Sequence, residues 1–321
     1  MQALRFHEFG KPLEVLRLEE LELPDLREGE VRLKMLAAPV NPADLNLIEG
    51  TYGIKPPLPT VPGIEGCGEV VESASAEFSR GDRAIILRRA GSWSSHVQIE
   101  AAHLFKLPAG IDPQQAAMLK VNPATAWRLL TGFVHVEPGS WVVQNAANSA
   151  VGRCVIALAK SQGLRTVNLV RRAELQEELL ALGADEVLID DDAAVEAWKK
   201  REPRPVLALN CVGGESALRL MNILGYGGTH VTYGAMARRP LTIPNGLLIF
   251  KQLHFHGLWI TKWIENGPRE EVMEVYTRLA ERMAAGELVI PVNRTFSLGD
   301  FKSALNFLAE PTREGKVILK T

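Results

Sequence analysis

Cysteine is scarce in this sequence: Cys67, Cys154 and Cys211 are the only three in 321 residues. They are odd in number, far apart and set in apolar segments, so they read as reduced, buried thiols and not as a disulfide framework. No C-x-x-C pair occurs, which excludes a structural zinc site built on four thiolates. Long apolar runs are missing too, since none approaches the roughly 20 residues a membrane helix needs. Net charge is nearly absent: 36 Lys and Arg against 38 Asp and Glu give −2. Neither nucleic acid nor an anionic membrane therefore has global electrostatic support as a partner. The opening residues, MQALRFHEFG, lack the basic and apolar regions of a signal peptide. They run straight into strand-like sequence and leave no room for a transit peptide, so a cytoplasmic location is expected.

What remains is ordinary globular material, 46% hydrophobic and 23% charged, and long enough for two domains. The first ~120 residues alternate short strand-like runs, at 30–38, 68–72 and 84–87, with turns. Proline and glycine punctuate them most densely at 55–63 (KPPLPTVPG). From about Val121 the texture becomes strand alternating with helix. Strands are predicted at 140–145, 166–170, 186–189, 206–212, 229–233 and 253–258, and helices at 151–161, 173–182 and 216–224. Six strands with intervening helices describe an α/β fold, a doubly wound parallel sheet of Rossmann type. A helix at 270–285 and a β-like tail at 315–319 then return to the first texture. The expected division is a β-rich domain from 1–120 and 287–321, with a nucleotide-binding domain at 121–286.

Behind the strand at 140–145 stand Ala147, Asn148, Ser149, Ala150, Val151 and Gly152, a worn form of the dinucleotide fingerprint G-x-G-x-x-G. Small side chains let backbone N–H groups approach a pyrophosphate at the helix N-terminus, where the helix dipole favours an anion. Nineteen residues after Gly152 come Arg171 and Arg172, where an NAD-binding protein usually carries a carboxylate for the ribose 2′-hydroxyl. A guanidinium there suits a 2′-phosphate, so NADPH is the expected cofactor. A purely structural strand–turn–helix and a solvated arginine pair are the plainer alternatives.

The run 41–53 (NPADLNLIEGTYG), followed by Pro62-Gly-Ile-Glu-Gly66 and Gly81-Asp-Arg83, resembles the medium-chain dehydrogenase/reductase superfamily. That superfamily joins a β-rich, GroES-like catalytic domain to a Rossmann domain. Its zinc alcohol dehydrogenases carry Gly-His-Glu where this chain has Gly63-Ile64-Glu65. Isoleucine cannot ligate a metal, and zinc needs three or four converging N, S or O ligands, so no metal is expected. His254 and His256 sit at strand spacing and read as a surface or packing pair.

Five segments together look like the 2-enoyl thioester reductase branch, the mitochondrial type of trans-2-enoyl-ACP/CoA reductase, here without its targeting extension. They are 41–53, 121–127 (VNPATAW), 144–152 (QNAANSAVG), 232–237 (TYGAMA) and 247–251 (LLIFK). The resemblance implies NADPH-dependent reduction of the C=C bond of an enoyl thioester of CoA or acyl carrier protein, with Tyr52 catalytic. A neutral phenol, with pKa near ~10, can hydrogen-bond the enolate oxygen or supply the proton that ends on Cα. A packing tyrosine on a proline-rich loop is the plainer alternative.

The same resemblance implies cofactor contacts at Asn122, at Asn148, Ser149, Ala150, Val151 and Gly152, and at Arg171 and Arg172. It adds Tyr233, Gly234, Ala235 and Met236 after the fifth strand, Leu258, Trp259 and Ile260 beside the nicotinamide, and Lys316. It also implies a homodimer paired near the strand at 253–258, whose exposed edge could join two sheets. Ala147, Ala150 and Ala173 depart from the branch, where serine, glycine and a polar residue are common. Trp93, Trp259 and Trp263 suit either an acyl groove or plain core. A quinone or small-enone oxidoreductase of the same superfamily, and an NADPH-binding protein without turnover, remain open as rivals.

Overall fold

A computed structural model describes residues 1–310 and 314–320. The chain forms two compact units, Met1–Val121 with Ile264–Thr321, and Asn122–Trp263. In the first, β1 (Gln2–Arg5) pairs antiparallel with β2 (Arg17–Glu20) around α1 (Pro12–Val15). There follow β3 (Glu30–Pro39), α2 (Pro42–Glu49), β4 (Cys67–Ser73), β5 (Arg83–Ile86), β6 (His96–Glu100), β7 (Leu104–Lys106) and α3 (Pro113–Ala117). β3 is the spine: Val31, Leu33 and Met35 alternate inward onto Val70, Ala84 and Val97, the period of two that a half-buried strand dictates. Pro42 begins α2 at the one helical position where a missing N–H loses nothing, and Gly50, at φ +72°, ends it.

The second unit contains α4 (Asn122–Thr131), β8 (Trp141–Gln144), α5 (Ala150–Ser161), β9 (Arg165–Val170), α6 (Gln176–Leu182) and β10 (Glu186–Ile189). It continues through α7 (Asp192–Trp198), β11 (Leu207–Asn210), α8 (Gly214–Ile223), β12 (Thr229–Thr232), α9 (Asn245–Phe250) and β13 (His254–Gly257), and α10 (Ile260–Asn266) leads out of it. The six strands pair in the order β10-β9-β8-β11-β12-β13, all parallel. That is the doubly wound Rossmann order. Its direction reverses between β8 and β11, and ligands of such sheets bind beyond the strand ends at that point. Both faces are covered, so the central strands are mostly apolar, with Val143, Val167, Leu169 and Ala208 in one core.

The chain then returns through α11 (Arg269–Ala284), β14 (Val292–Ser297), α12 (Phe301–Leu308) and β15 (Lys316–Lys320). β15 lies antiparallel to β3, with Ile318 opposite Pro39, and closes the sheet β14-β15-β3-β4-β5-β7, while β6 also pairs with β3. The second boundary falls at 263/264, not at 286/287. α11 packs in the first unit, where the Tyr276 hydroxyl donates to the Lys120 carbonyl at 2.9 Å and its ring lies 5.9 Å from that of Phe105. Helical periodicity finds such a helix but does not say which core its apolar face joins. Trp93 is core: it is 1% exposed, with Nε1 donating to the Pro39 carbonyl.

Candidate functional site

In the second unit, residues 145–149 connect a central strand to its helix. Gly152 is required there for space, because a Cβ would stand 2.4 Å from the Ala147 carbonyl oxygen. Ser149 caps α5, its Oγ accepting the Gly152 N–H at 3.1 Å. Among the described residues no acceptor meets the N–H groups of Ala150 and Val151, at the positive end of a 12-residue helix. Asn148, Ser149, Ala150 and Val151 are half-buried, as a surface that a ligand covers would be.

Residues outside the fingerprint hold this turn. Buried Arg153 donates through Nε to the Asn148 carbonyl at 3.1 Å and through Nη2 to Glu178 Oε2 at 2.8 Å. That guanidinium holds the Glu178 carboxyl below its usual range. A row of buried amides crosses the strand ends. Gln144 Nε2 donates to Asn168 Oδ1 at 2.7 Å, Asn145 Nδ2 to Asn210 Oδ1 at 2.8 Å, and Asn210 Nδ2 to Thr232 Oγ1 at 3.1 Å. Sequence reasoning missed them. The signal available was polar residues inside otherwise apolar strands.

Arg171 and Arg172 directly follow β9. Arg171 is exposed, with no ion pair among the described residues, and Arg172 is half-buried 3.5 Å from Glu174. After β12, the Tyr233 N–H donates to the Asn210 carbonyl and the Met236 N–H to that of Cys211, each at 2.9 Å. A Cβ on Gly234 would approach the Cys211 carbonyl to 3.0 Å. The Tyr233 phenol is buried beside Cys211 and Ser149, and burial pushes it well above its usual pKa. Ala235 and Met236 are exposed. Leu258, whose N–H donates to the Thr232 carbonyl at 2.9 Å, leads into half-buried Trp259 and buried Ile260. Asn122 opens α4, buried, with its Nδ2 unpartnered among the described residues. An unfilled helix N-terminus, an orphaned amide donor and an exposed guanidinium fit a phosphorylated dinucleotide.

Tyr52 and Lys316 lie in the other unit. Tyr52 is half-buried just past α2, its N–H donating to the Asn46 carbonyl at 3.1 Å, so the turn is tied to the helix end. The start of α2 is embedded in a buried charge cluster. Asp44 accepts the Asn41 N–H at 2.9 Å and the Ile64 N–H at 2.8 Å. Glu65 accepts Asn41 Nδ2 and the Val121 N–H, each at 2.8 Å. Lys316 Nζ donates to Asn41 Oδ1, and Lys120 Nζ to the Ile64 carbonyl at 2.8 Å. Burial pushes Asp44 up to about 7, raises Glu65, and pulls Lys120 down to about 8. A lone lysine inside the otherwise uncharged stretch 115–126 was the overlooked signal for this cluster.

Among the described residues no three His, Cys, Asp or Glu side chains are grouped to hold a metal, and no helix is long and apolar enough to cross a membrane.

Two family models match: "Alcohol dehydrogenase GroES-like domain" over residues 27–109 and "Zinc-binding dehydrogenase" over 150–281. The chain is 40% identical to the human mitochondrial enoyl acyl-carrier-protein reductase, covering 99% of this chain and 88% of that one. With the Arabidopsis thaliana protein of the same name it shares 41%, over 89% and 79%. The structure of an Etr1p/NADP/crotonyl-CoA complex superposes with a TM-score of 0.92 at 27% identity, covering 100% and 99%. A Bacillus thuringiensis structure with a provisional NADPH:quinone reductase name matches at 0.92 and 28%, covering 100% and 98%. The relatives overturn the expected cytoplasmic location, since those named here are called mitochondrial. Composition could not report this: an address is read by receptors from a separate segment, not from the folded domains.

Proposed function

The chain belongs to the mitochondrial-type enoyl acyl-carrier-protein reductases of the medium-chain dehydrogenase/reductase superfamily, and from that premise we propose that it reduces the C=C bond of trans-2-enoyl thioesters with NADPH. The observation that carries this reading is 40% identity sustained over 99% of the chain. Bound NADPH supplies the hydride that adds to Cβ. The chain's own residues do the rest. The N-terminus of α5 holds the pyrophosphate, Arg171 and Arg172 the 2′-phosphate, and Asn122 Nδ2 an acceptor near the nicotinamide end.

Tyr52 is the proposed electrophile. Its phenol donates a hydrogen bond to the thioester oxygen as negative charge develops there, and then gives up that proton to complete Cα, solvent reprotonating the phenolate. Lys316, with its ammonium on Asn41, acts through the charge cluster at the start of α2. The reaction is proposed to need no zinc: Ile64 offers no ligand atom, and Asp44 and Glu65 are already bonded to N–H donors. A homodimer through β13 is supported by its edge position in the sheet and by exposed Leu248, Ile249 and Phe250 on α9.

The test is NADPH oxidation by chelator-treated protein with crotonyl-CoA or with quinones. Thioester turnover far above quinone turnover is expected. Quinone turnover alone would make this a quinone reductase, and no turnover with either would leave a binding protein.

A further inference from the structure

The turn after β8 carries a residue under backbone strain. Ala146 stands at φ +46°, a left-handed conformation that a residue with a Cβ disfavours. Such a conformation persists only where its surroundings over-determine it. On one side of it Arg153 holds the Asn148 carbonyl. On the other stands Asn145, fully buried and bonded three times through its side chain. Its Oδ1 accepts the Cys211 N–H at 2.9 Å, and its Nδ2 donates to Asn210 Oδ1 at 2.8 Å and to Ser216 Oγ at 2.9 Å.

The direction of these bonds is fixed. A backbone N–H can only donate, so Asn145 Oδ1 must face Cys211. By the same logic Asn210 Oδ1 must face the N–H groups of Val212 and Gly213, at 3.2 and 3.0 Å. Asn145 therefore reaches Ser216 as a donor, and the Ser216 proton goes to Asp190 Oδ2, 2.6 Å away. Ser216, in the first turn of α8, is 6% exposed. Asp190 directly follows β10, and its other oxygen accepts Arg219 Nη1 at 3.2 Å. The chain Asp190–Ser216–Asn145–Asn210 thus runs from the end of β10, past the end of β8, to the end of β11. Those last two strands flank the point where the sheet reverses. Beyond them the Cys211 and Val212 carbonyls accept the Met236 and Ala237 N–H groups, each at 2.9 Å.

We propose that Ser216 is a positioning residue for NADPH. Held by Asp190, it fixes Asn145 and through it the two turns that border the reversal, 145–149 after β8 and 211–213 after β11. This rests on the NADPH reading above and deepens it. Ligands of such sheets bind beyond the strand ends at the reversal, so the alignment of these two turns sets how well the pyrophosphate meets its N–H donors. The carboxylate gives the chain its polarity: an acceptor-only group makes the hydroxyl donate to it and accept from Asn145.

The test is the Kd of NADPH and of NADH, read by nicotinamide fluorescence, beside the melting temperature without cofactor. Wild type, Ser216→Ala, Asp190→Asn and the double variant are compared. Ser216→Ala weakens both cofactors about 10-fold, as loss of a hydrogen bond to a charged acceptor implies. The ratio of the two Kd values stays as in wild type, because Arg171 and Arg172 are untouched. The KM for NADPH rises with Kd while kcat holds. Asp190→Asn keeps the shape, but Arg219 holds its oxygen, so an amide N–H meets Ser216 and the polarity is lost. Its loss matches that of Ser216→Ala, and the double variant loses no more than either, since both break one chain. Multiplied losses in the double variant would overturn the proposal, as would a loss confined to NADPH. Melting temperatures that fall while both Kd values stay put would reduce Ser216 to a brace for α8. The Kd measurement needs no thioester. Weakened binding in the variants of a protein that reduces no enoyl thioester keeps the positioning role and sinks the reductase reading. Unchanged Kd values in a working reductase sink the positioning role alone.

Discussion

The two units keep their polar groups inside in different ways. In the nucleotide-binding unit the buried polar side chains at the strand ends are mostly neutral amides and hydroxyls. Gln144, Asn145, Asn168, Asn210 and Thr232 bond to one another, and the buried cation Arg153 has Glu178 as its partner. In the first unit the buried groups are ionisable: Asp44, Glu65, Lys120 and Lys316 gather around Asn41. A neutral row can fix a loop without responding to pH, whereas a buried ionic cluster is strongly held only while its protonation state is right. The difference suits the proposed division of labour, in which one unit is a binding frame indifferent to protons and the other supplies the proposed proton donor Tyr52.

The largest test of that division is Tyr52→Phe. If the phenol is the donor at the thioester oxygen, kcat with crotonyl-CoA falls by about 10²- to 10³-fold, the usual loss of one such donor. NADPH affinity, read by fluorescence titration, stays put. A variant that keeps full thioester reduction removes Tyr52 from the chemistry. Next in size is the opposite experiment in the other unit. Replacing both Arg171 and Arg172 by alanine removes two charge-assisted partners of the 2′-phosphate and weakens NADPH by about 100-fold, leaving NADH unchanged. NADH binding lost in parallel would mean that the pair merely supports the β9 turn.

The two units were also unequally legible from sequence. The parallel sheet announces itself locally: β10 occupies 186–189 as periodicity predicts, and α5 starts one residue from its expected place. α7 (Asp192–Trp198) escaped, because about two turns give too few apolar repeats to see. The predicted helix at 173–182 begins instead as a tight 3₁₀ turn before α6. In the first unit the cluster joins residues 41, 44, 65, 120 and 316. No local pattern links positions so far apart; only β15 returning to β3 and the loop before β4 bring them together. Ile64 was read as a missing metal ligand. Its backbone proved the informative part, since its N–H and C=O hold Asp44 and Lys120.

pH sharpens the comparison further. Burial holds the Asp44 carboxyl at about 7 in the folded chain, against about 3.9 for an unfolded aspartate. The folded state therefore binds the extra proton between those values. This contribution to stability is full below the unfolded value and is lost as pH rises through about 7, with a slope of at most about 1.4 kcal/mol per pH unit. Urea denaturation between pH 4 and 7 reads it directly. Asp44→Asn should flatten that slope, and an unchanged slope would assign the titration to another group.

The smallest expected effect comes from an apparent exception in the nucleotide-binding unit. Lys251 is half-buried and its ammonium donates to the carbonyls of Met221, Asn222 and Leu224 at 3.2, 2.9 and 2.8 Å, covering the C-terminal end of α8. Burial first, then Arg204 and Lys199, pull it down to about 8. Its folded pKa lies below the unfolded value, so its titration makes the protein more stable as pH rises from about 8 towards 10.4. That is the reverse of Asp44. Lys251→Met keeps the aliphatic stem and leaves three carbonyls to water and the helix end, so about 1 kcal/mol is lost at neutral pH. The group is only half-buried, and no opposite charge is stranded by its removal. Removing Lys316, in contrast, strips a positive charge from the cluster around buried Glu65. Thermal denaturation of Lys251→Met beside Lys316→Met decides the matter: a larger drop for Lys251 would break the distinction between a neutral frame and a charged core.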